Sequence, residues 1–398
     1  MRHKLHLTTG AAALLLGGFG ALAANAQSKK PAAANASVPP IATYWMDVST
    51  QSGMGGMMGG SRPSMGDMMA MMTGGAPQFS HSLRLRLASR TAAPAAPKAD
   101  HMIPASMRMG ASLPLITPQR GKSEPTGPTD PKGKLTIYWG CGEHVTPGQP
   151  LVLDFAQLAS GKVPESIKQA ARAMGRQQYS YSGPTSAPGY GEWPNRDARP
   201  VPQDASLIGA HQVAGNYSPT MNFTLGAGQD FMAPMTLGSD GALPSGAKVV
   251  RWNAVPSATG YALAMFGGTE DGGAIMWSSV KTSGFANLDY LAPRDVTRAI
   301  AAGDALPPST TQCIIPAEVM RAAPMGMTMS VAYGPEIYFA EAPKNPKWAV
   351  TVRYKSNGSL IQGMEGAMGE GNAGAQQPPK KKKKGFGLGD VIKGVIPN

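Results

Sequence analysis

Residues 249–268, VVRWNAVPSATGYALAMFGG, give the clearest indication of the fold in this sequence. Two apolar runs, Val249–Asn253 and Gly260–Phe266, flank a short turn that contains a proline. Apolar runs of this length, bounded by turn residues, predict two neighbouring β-strands. Trp252 and Tyr261 are the large side chains that such a strand pair would bury. The stretch predicts architecture and carries no chemistry of its own.

Similar short runs recur along most of the chain, with Gly and Pro between them. Short strands separated by turn signals predict a mainly β fold built as two sandwich-like domains. Helices are predicted only at Glu165–Met174 and Pro293–Ala302. The other predicted strands are Ile41–Ser49, Phe79–Ala88, Ser112–Ile116, Leu135–Cys141, Leu151–Phe155, Tyr217–Leu225, Ala274–Ser279, Met327–Tyr333, Glu336–Ala340 and Trp348–Tyr354.

The opening stretch also resembles a known family. Its residues Trp252-x-x-Val255-x-x-Ala258-x-x-Tyr261 are similar to the pattern W-x-x-V-x-x-A-x-x-Y of fibronectin type III-like domains. The resemblance covers roughly residues 205–356 and implies a β-sandwich, but it implies no function. The chain departs from the family pattern by a short inserted helix at Pro293–Ala302 and by weak terminal strands. The whole chain also resembles exported bacterial proteins with Met/Gly-rich inserts, a likeness that brings no activity with it.

Composition changes along the chain predict six segments. Two of them are β domains, and the connector between them is rich in Pro, Gly and aromatic residues. The segments are a signal peptide at 1–26, a linker at 27–40, an N-terminal β domain at 41–175 with a Met/Gly-rich insert at 53–75, the connector at 176–204, the fibronectin type III-like domain at 205–356, and a flexible Lys-rich tail at 357–398.

The N-terminus has the features of a bacterial export signal. Arg2 and Lys4 precede a short apolar region, and Ala24-Asn25-Ala26 forms a small-x-small cleavage site. Such a signal predicts a mature chain that begins at Gln27 and is periplasmic or secreted.

The net charge of +12 is concentrated toward the two ends of the chain. This distribution does not indicate a nucleic-acid-binding face. In the tail, Lys380–Lys384 precede apolar residues, a pattern that could dock on an anionic membrane or envelope surface. A solvated lysine run is the alternative.

The sequence contains two cysteines, Cys141 and Cys313. An oxidising compartment would allow them to form a disulfide. Two free, buried thiols are the alternative, and the sequence does not decide between them.

The insert is unusually rich in methionine, whose soft thioether suits Cu(I). We therefore consider a periplasmic copper-binding protein as an alternative function, although low-complexity expansion also explains the composition. No other cofactor is expected. Equal Cu(I) binding by a variant with all eight methionines replaced by leucine would exclude this hypothesis. The eight residues are Met54, Met57, Met58, Met65, Met68, Met69, Met71 and Met72.

Signatures of common enzymes are missing from the sequence, including H-E-x-x-H and G-x-S-x-G. The one local polar cluster is Glu143-His144 beside Cys141, and a polar turn after a strand is the favoured explanation of it. The alternation of Arg84 and Arg86 with leucines predicts an outward, solvated sheet face. We therefore expect a non-enzymatic structural or interaction protein of the envelope, with another protein or a glycan as partner. An unrecognised hydrolase is the second alternative.

Overall fold

The computed structural model describes residues 38–53, 79–118, 133–161, 163–165, 167–169, 179, 183–269, 272–282 and 284–363. The described residues from 39 onward belong to one unit, and all elements given below lie within it. Within the described residues, no helix is long and apolar enough to cross a membrane.

The described chain is mainly β, which confirms the predicted fold class. It contains sixteen strands and three helices with defined bounds, besides a 3-10 turn at Ala105–Met107. The strands are β1 Ala42–Ser52, β2 Phe79–Ser89, β3 Ala99–Met102, β4 Ser112–Pro114, β5 Lys134–Trp139, β6 Leu151–Asp154, β7 Gly189–Trp193, β8 Gly209–Gly215, β9 Ser218–Leu225, β10 Leu237–Ala242, β11 Lys248–Trp252, β12 Gly260–Gly268, β13 Ala274–Ser278, β14 Gln312–Ile315, β15 Gly326–Ala340 and β16 Trp348–Gln362. The helices are α1 Phe155–Ala159, α2 Pro293–Ala302 and α3 Ala317–Ala322.

Both predicted helices have counterparts in the described chain, although only one can be compared along its full length. The helix predicted at Pro293–Ala302 is α2, with proline in its first turn and Gly303 in the left-handed conformation at its end. This agrees with the preference for proline at the start and glycine after the end of a helix. Of the helix predicted at Glu165–Met174, residue 165 and residues 167–169 are described and helical.

The largest sheet contains nine strands in the order β6-β5-β13-β12-β15-β16-β1-β2-β7. Strands β1 and β16 pair in parallel from Ala42–Trp348 to Gln51–Asn357, and β13 pairs in parallel with β5. Within this one hydrogen-bonded sheet, the C-terminal strands β13, β12, β15 and β16 therefore lie between two groups of N-terminal strands, β6-β5 and β1-β2-β7. The predicted division into domains at 41–175 and 205–356 is wrong, because backbone hydrogen bonds join the two segments at two separate places.

The predicted connector at 176–204 needs the same correction. Its residues Gly189–Trp193 form β7, which pairs with β2 at one edge of the nine-stranded sheet. Tyr190 and Trp193 are buried there. The glycines that suggested a loop are required by close packing, because a Cβ on Gly191 would lie 2.5 Å from the hydroxyl oxygen of Tyr217.

Two smaller sheets complete the core, in the orders β10-β11-β14 and β4-β3-β8-β9. They pack against the side of the large sheet that carries Tyr44, Met46 and Val48, which we call the inner face. The alternate residues of β1, Trp45 and Asp47, point to the opposite side, the outer face, because successive side chains of a strand point to opposite faces. The outer face bears the candidate site.

Trp252 and Tyr261 lie in two different sheets and meet in the core between them. Trp252 ends β11 and Tyr261 begins β12, and their ring centroids are 5.6 Å apart. They are 5% and 0% exposed, which confirms their predicted burial. The Tyr261 hydroxyl also accepts a hydrogen bond from the backbone N–H of Val255, at 3.0 Å. The fibronectin type III-like resemblance itself stays a prediction.

Candidate functional site

Three of the predicted functional segments lie outside the described residues. They are the signal peptide at 1–26, the part beyond residue 363 of the Lys-rich tail, and the eight methionines proposed as Cu(I) ligands, Met54, Met57, Met58, Met65, Met68, Met69, Met71 and Met72. The predicted start of the flexible tail at residue 357 is wrong, because residues 357–362 form the end of β16 and pair with β15. Within the described chain, no three His, Cys, Asp or Glu side chains are grouped in a way that could hold a metal ion. The copper hypothesis and the tail hypothesis stay predictions.

The cysteines and the Glu143-His144 cluster lie together at a junction between distant parts of the chain. Cys141 follows β5 and forms a disulfide with Cys313 in β14, 172 residues away. His144 Nδ1 lies 3.0 Å from Glu318 Oε1, and this hydrogen bond, working against the effect of burial, lowers the pKa of Glu318. The Ala317 N–H donates to the Glu143 carbonyl, at 2.9 Å. The cluster therefore ties the turn after β5 to β14 and α3.

The most unusual polar group in the described chain is a buried ion cluster on the outer face. Asp47 of β1 accepts from Arg86 of β2 through one carboxylate oxygen and from Arg353 of β16, at 2.7 Å, through the other. These three residues are only 3–4% exposed. Arg86 is thus buried, and the prediction of a solvated face is wrong for this residue. Two cations share one anion, so the cluster carries a net charge of +1.

Aromatic rings enclose the second arginine of the cluster. The Arg353 guanidinium lies 4.9 Å from the ring centroid of Trp45 and 4.6 Å from that of Tyr290. A desolvated guanidinium against an aromatic face is stabilised by the negative charge of the ring surface. The Lys355 ammonium lies 4.5 Å from the same Tyr290 ring and 3.2 Å from Asp289. Burial lowers the pKa of Lys355, although Asp289 acts in the opposite direction.

Residues 183–184 cover the other end of the cluster. The Pro184 carbonyl accepts from Arg86, at 3.4 Å. A Cβ at position 183 would come 2.7 Å from an Arg86 nitrogen and 2.8 Å from the Trp45 ring, so only glycine fits there. This close approach is what excludes water from Arg86. The ion cluster is therefore a fixed element of the fold.

Charges of opposite sign alternate across four neighbouring strands of the outer face. In the backbone register, Glu336 of β15 is opposite Arg353, which is opposite Asp47, which is opposite Arg84 of β2. Opposite charges on adjacent strands stabilise a sheet by about 0.2–1 kcal/mol for each pair. Burial raises the pKa of Glu336, with Arg353 acting against it, and its Oε2 has no hydrogen-bond partner in the described structure.

Part of the outer face remains open to solvent. Tyr338 of β15 is 62% exposed, and Arg84 at the other end of the charge row is exposed and has no ion-pair partner within the described residues. Three strand intervals of about 4.8 Å each separate their strands, which corresponds to about 14 Å. We call Arg84, Glu336 and Tyr338 the outer patch. Arg84 and Glu336 lie on opposite sides of the buried ion cluster.

Asp47 and Arg353 were missed by sequence reasoning, although each has a recognisable signal. Asp47 is the one charged residue of its strand, in YWMDVS, and Arg353 interrupts the largely apolar run AVTVRY. A charged side chain in a buried strand is rarely left unpaired, so each needed a counterion. The partner was not identifiable, because 306 residues separate the two positions.

Comparison of the chain with protein-family models, with curated proteins and with solved structures finds no significant match. Its function must therefore be inferred from its own residues.

Proposed function

We propose that this chain is a non-enzymatic interaction protein of the bacterial envelope, and that it binds another protein through the outer patch. The observation that carries this proposal is that one sheet face exposes both Tyr338 and Arg84, and that Arg84 has no ion-pair partner within the described residues. Tyrosine and arginine are enriched among residues that dominate protein–protein binding energy. A sheet fixed by buried ion pairs would hold them in place before binding, which reduces the entropy cost of association.

The Arg84 end of the outer patch favours an acidic group on the partner, whereas Glu336 lies at the other end of the charge row. Arg84 has no ion-pair partner within the described residues, and the buried ion cluster on the same face carries a net charge of +1. Complementary charge accelerates encounter and suppresses wrong partners. The Cys141–Cys313 disulfide and the predicted export signal both agree with an oxidising compartment outside the cytoplasm.

Affinity capture from the envelope fraction of the producing bacterium tests this proposal. Mature protein immobilised on resin is expected to retain a partner that Tyr338→Ala and Arg84→Ala both lose. Truncation of a residue that dominates binding costs about 2 kcal/mol, which corresponds to roughly 30-fold weaker binding. Both side chains are exposed, so neither change should alter folding.

The matched control is Arg251→Ala, which removes an exposed arginine of β11 in a different sheet. It should leave capture unchanged. If Tyr338→Ala and Arg84→Ala retain the partner as well as the Arg251→Ala control does, binding through the outer patch is excluded. Binding that survives proteolysis of the envelope fraction would show that the ligand is a glycan and would contradict a protein partner.

A further inference from the structure

Four polar groups form a continuous hydrogen-bonded chain between two sheets. The Tyr44 hydroxyl lies 2.8 Å from His101 Nδ1, and His101 Nε2 lies 3.0 Å from His211 Nδ1. The far nitrogen of the second ring, His211 Nε2, lies 2.7 Å from the Leu207 carbonyl oxygen. We call these four groups the histidine chain. The two histidines are 110 residues apart, so their contact has no local sequence signal.

For neutral rings, only one arrangement of protons satisfies every bond. The Leu207 carbonyl can only accept, so His211 must carry its proton on Nε2 and accept through Nδ1. His101 must then donate from Nε2 and accept from the Tyr44 hydroxyl through Nδ1. Burial raises the pKa of Tyr44 well above its ordinary value, which keeps this hydroxyl available as a donor.

A proton added to either ring breaks this arrangement. On His211 the new proton would occupy Nδ1, where it would face the N–H of His101 across 3.0 Å. On His101 the new proton would occupy Nδ1. The buried Tyr44 hydroxyl would then have to turn away from His101, which is its only acceptor within the histidine chain. Leaving a buried polar group without a partner destabilises the folded state, and the penalty is larger for a charged group. The closed arrangement therefore requires both rings to be neutral.

The histidine chain is placed at a contact between layers. Tyr44 belongs to β1 of the nine-stranded sheet, whereas His101 and His211 belong to β3 and β8 of the four-stranded sheet. Phe223 of β9 stacks on His211 with ring centroids 5.0 Å apart, and it contacts Phe339 of β15 at 5.3 Å. The same cluster thus holds the four-stranded sheet against the inner face.

Within the part of the chain that the structure describes, no ionised group is hydrogen-bonded to the histidine chain. The titratable groups within it are Tyr44 from β1 and the two histidines, while β9 and β15 contribute only the phenylalanine rings. On β4, Leu113 is opposite His101. Asp230 is connected to the histidine chain only through Leu207, whose backbone N–H donates to its carboxylate at 2.8 Å. Asp230 does not accept a hydrogen bond from either imidazole ring in the described structure. A protonated histidine would therefore have no counterion in direct contact.

We propose that the histidine chain is an acid-sensitive latch, which holds the four-stranded sheet on the inner face when both rings are neutral and releases it when they are protonated. Burial lowers the pKa of both histidines below the ordinary value of 6.5, and His211 lowers that of His101 further. The hydrogen bond to Leu207 partly opposes this for His211. The open state therefore binds more protons below pH 6.5, and opening becomes more favourable as the pH falls through that value.

Hydrogen exchange of the mature, disulfide-bonded protein at pH 7.5 and pH 5, corrected for intrinsic exchange rates, tests the latch. Amides of β3 and β8 are expected to lose protection at pH 5 while those of β1 and β16 keep it. The opening equilibrium should rise about 10-fold per pH unit below 6.5 for each proton bound, and about 100-fold when both rings respond. Equal protection at both pH values, or loss in step with the whole large sheet, would overturn the proposal.

Two variants separate the latch from general acid sensitivity. His211→Gln should halve the slope of the logarithm of the opening equilibrium against pH, because one of the two protons is no longer bound. His144→Gln, which changes an exposed histidine, should keep the full response. If His211→Gln fails to fold, NMR titration of the wild-type imidazoles decides: titration of His101 or His211 near pH 6.5 with the sheet still protected would contradict the latch.

Discussion

Replacing Asp47 with alanine is expected to lower the free energy of unfolding by about 3–5 kcal/mol. The change leaves Arg86 and Arg353, each 3% exposed, without their shared anion. An uncompensated buried charge is strongly destabilising because water cannot replace the lost carboxylate. Urea unfolding at neutral pH measures the effect. Three strands of the central sheet should be weakened together, since the cluster joins β1, β2 and β16.

The matched control for Asp47→Ala is Asp240→Ala, which removes the anion from an exposed pair with Arg251. Exposed pairs contribute about 0–1 kcal/mol, so little change is expected. Combining Asp47→Leu with Arg86→Met and Arg353→Met should recover most of the loss, because apolar residues of similar volume avoid the desolvation cost. A loss below about 1 kcal/mol for Asp47→Ala would contradict the buried ion cluster.

Loss of the Cys141–Cys313 disulfide is expected to have a comparable effect. The bond closes a loop of 172 residues. In the chain-entropy model, a loop of this length stabilises the folded state by about 5 kcal/mol by restricting the unfolded chain. For a chain of this size we expect the melting temperature to fall by about 6–9 °C. Thermal unfolding of the double Cys→Ser variant measures the difference.

Reduction provides an independent control for the disulfide prediction. Cys141 is exposed, so a soluble reductant should reach the bond in the folded protein. Reduced wild-type protein should have the same melting temperature as the double variant. The reductant should not change the melting temperature of the variant. Identical melting of oxidised and reduced wild-type protein would show that the bond does not constrain unfolding.

Local structure was predictable from the sequence wherever one strand or helix carries its own signal. The alternation in β2 predicted buried Leu83, Leu85 and Leu87, and the structure confirms it. Proline and glycine predicted both ends of α2 correctly. The side chain of Arg86 was not predictable, because its burial depends on residues 183–184, about a hundred positions away.

The arrangement of the strands was not predictable from local patterns. Strands β1 and β16 are adjacent although they lie near opposite ends of the described chain. Ala42 of one strand is opposite Trp348 of the other in their register. Period-two alternation shows which face of a strand is buried but carries no information about its neighbour. Short strands such as β3 and β14 were missed for a related reason, since four residues give too little pattern to separate them from loops.

The candidate site was not predictable for the same reason, because it depends on which strands are neighbours. Each outer-patch residue was visible in the sequence as an ordinary polar or aromatic strand residue. Only the register of β15, β16, β1 and β2 places Glu336, Arg353, Asp47 and Arg84 in one row. Likewise, His101 and His211 are 110 positions apart in the sequence, yet they form a directly bonded pair.

Site-specific photocrosslinking in living cells tests the proposed function most directly. A photoreactive amino acid is placed at Tyr338 of the outer patch or at Ile208, which is 42% exposed beside the four-stranded sheet. We predict a discrete crosslinked protein from position 338, and none from position 208, with the product lost when Arg84→Ala is added. No product from position 338, or the same product from both positions, would contradict binding through the outer patch.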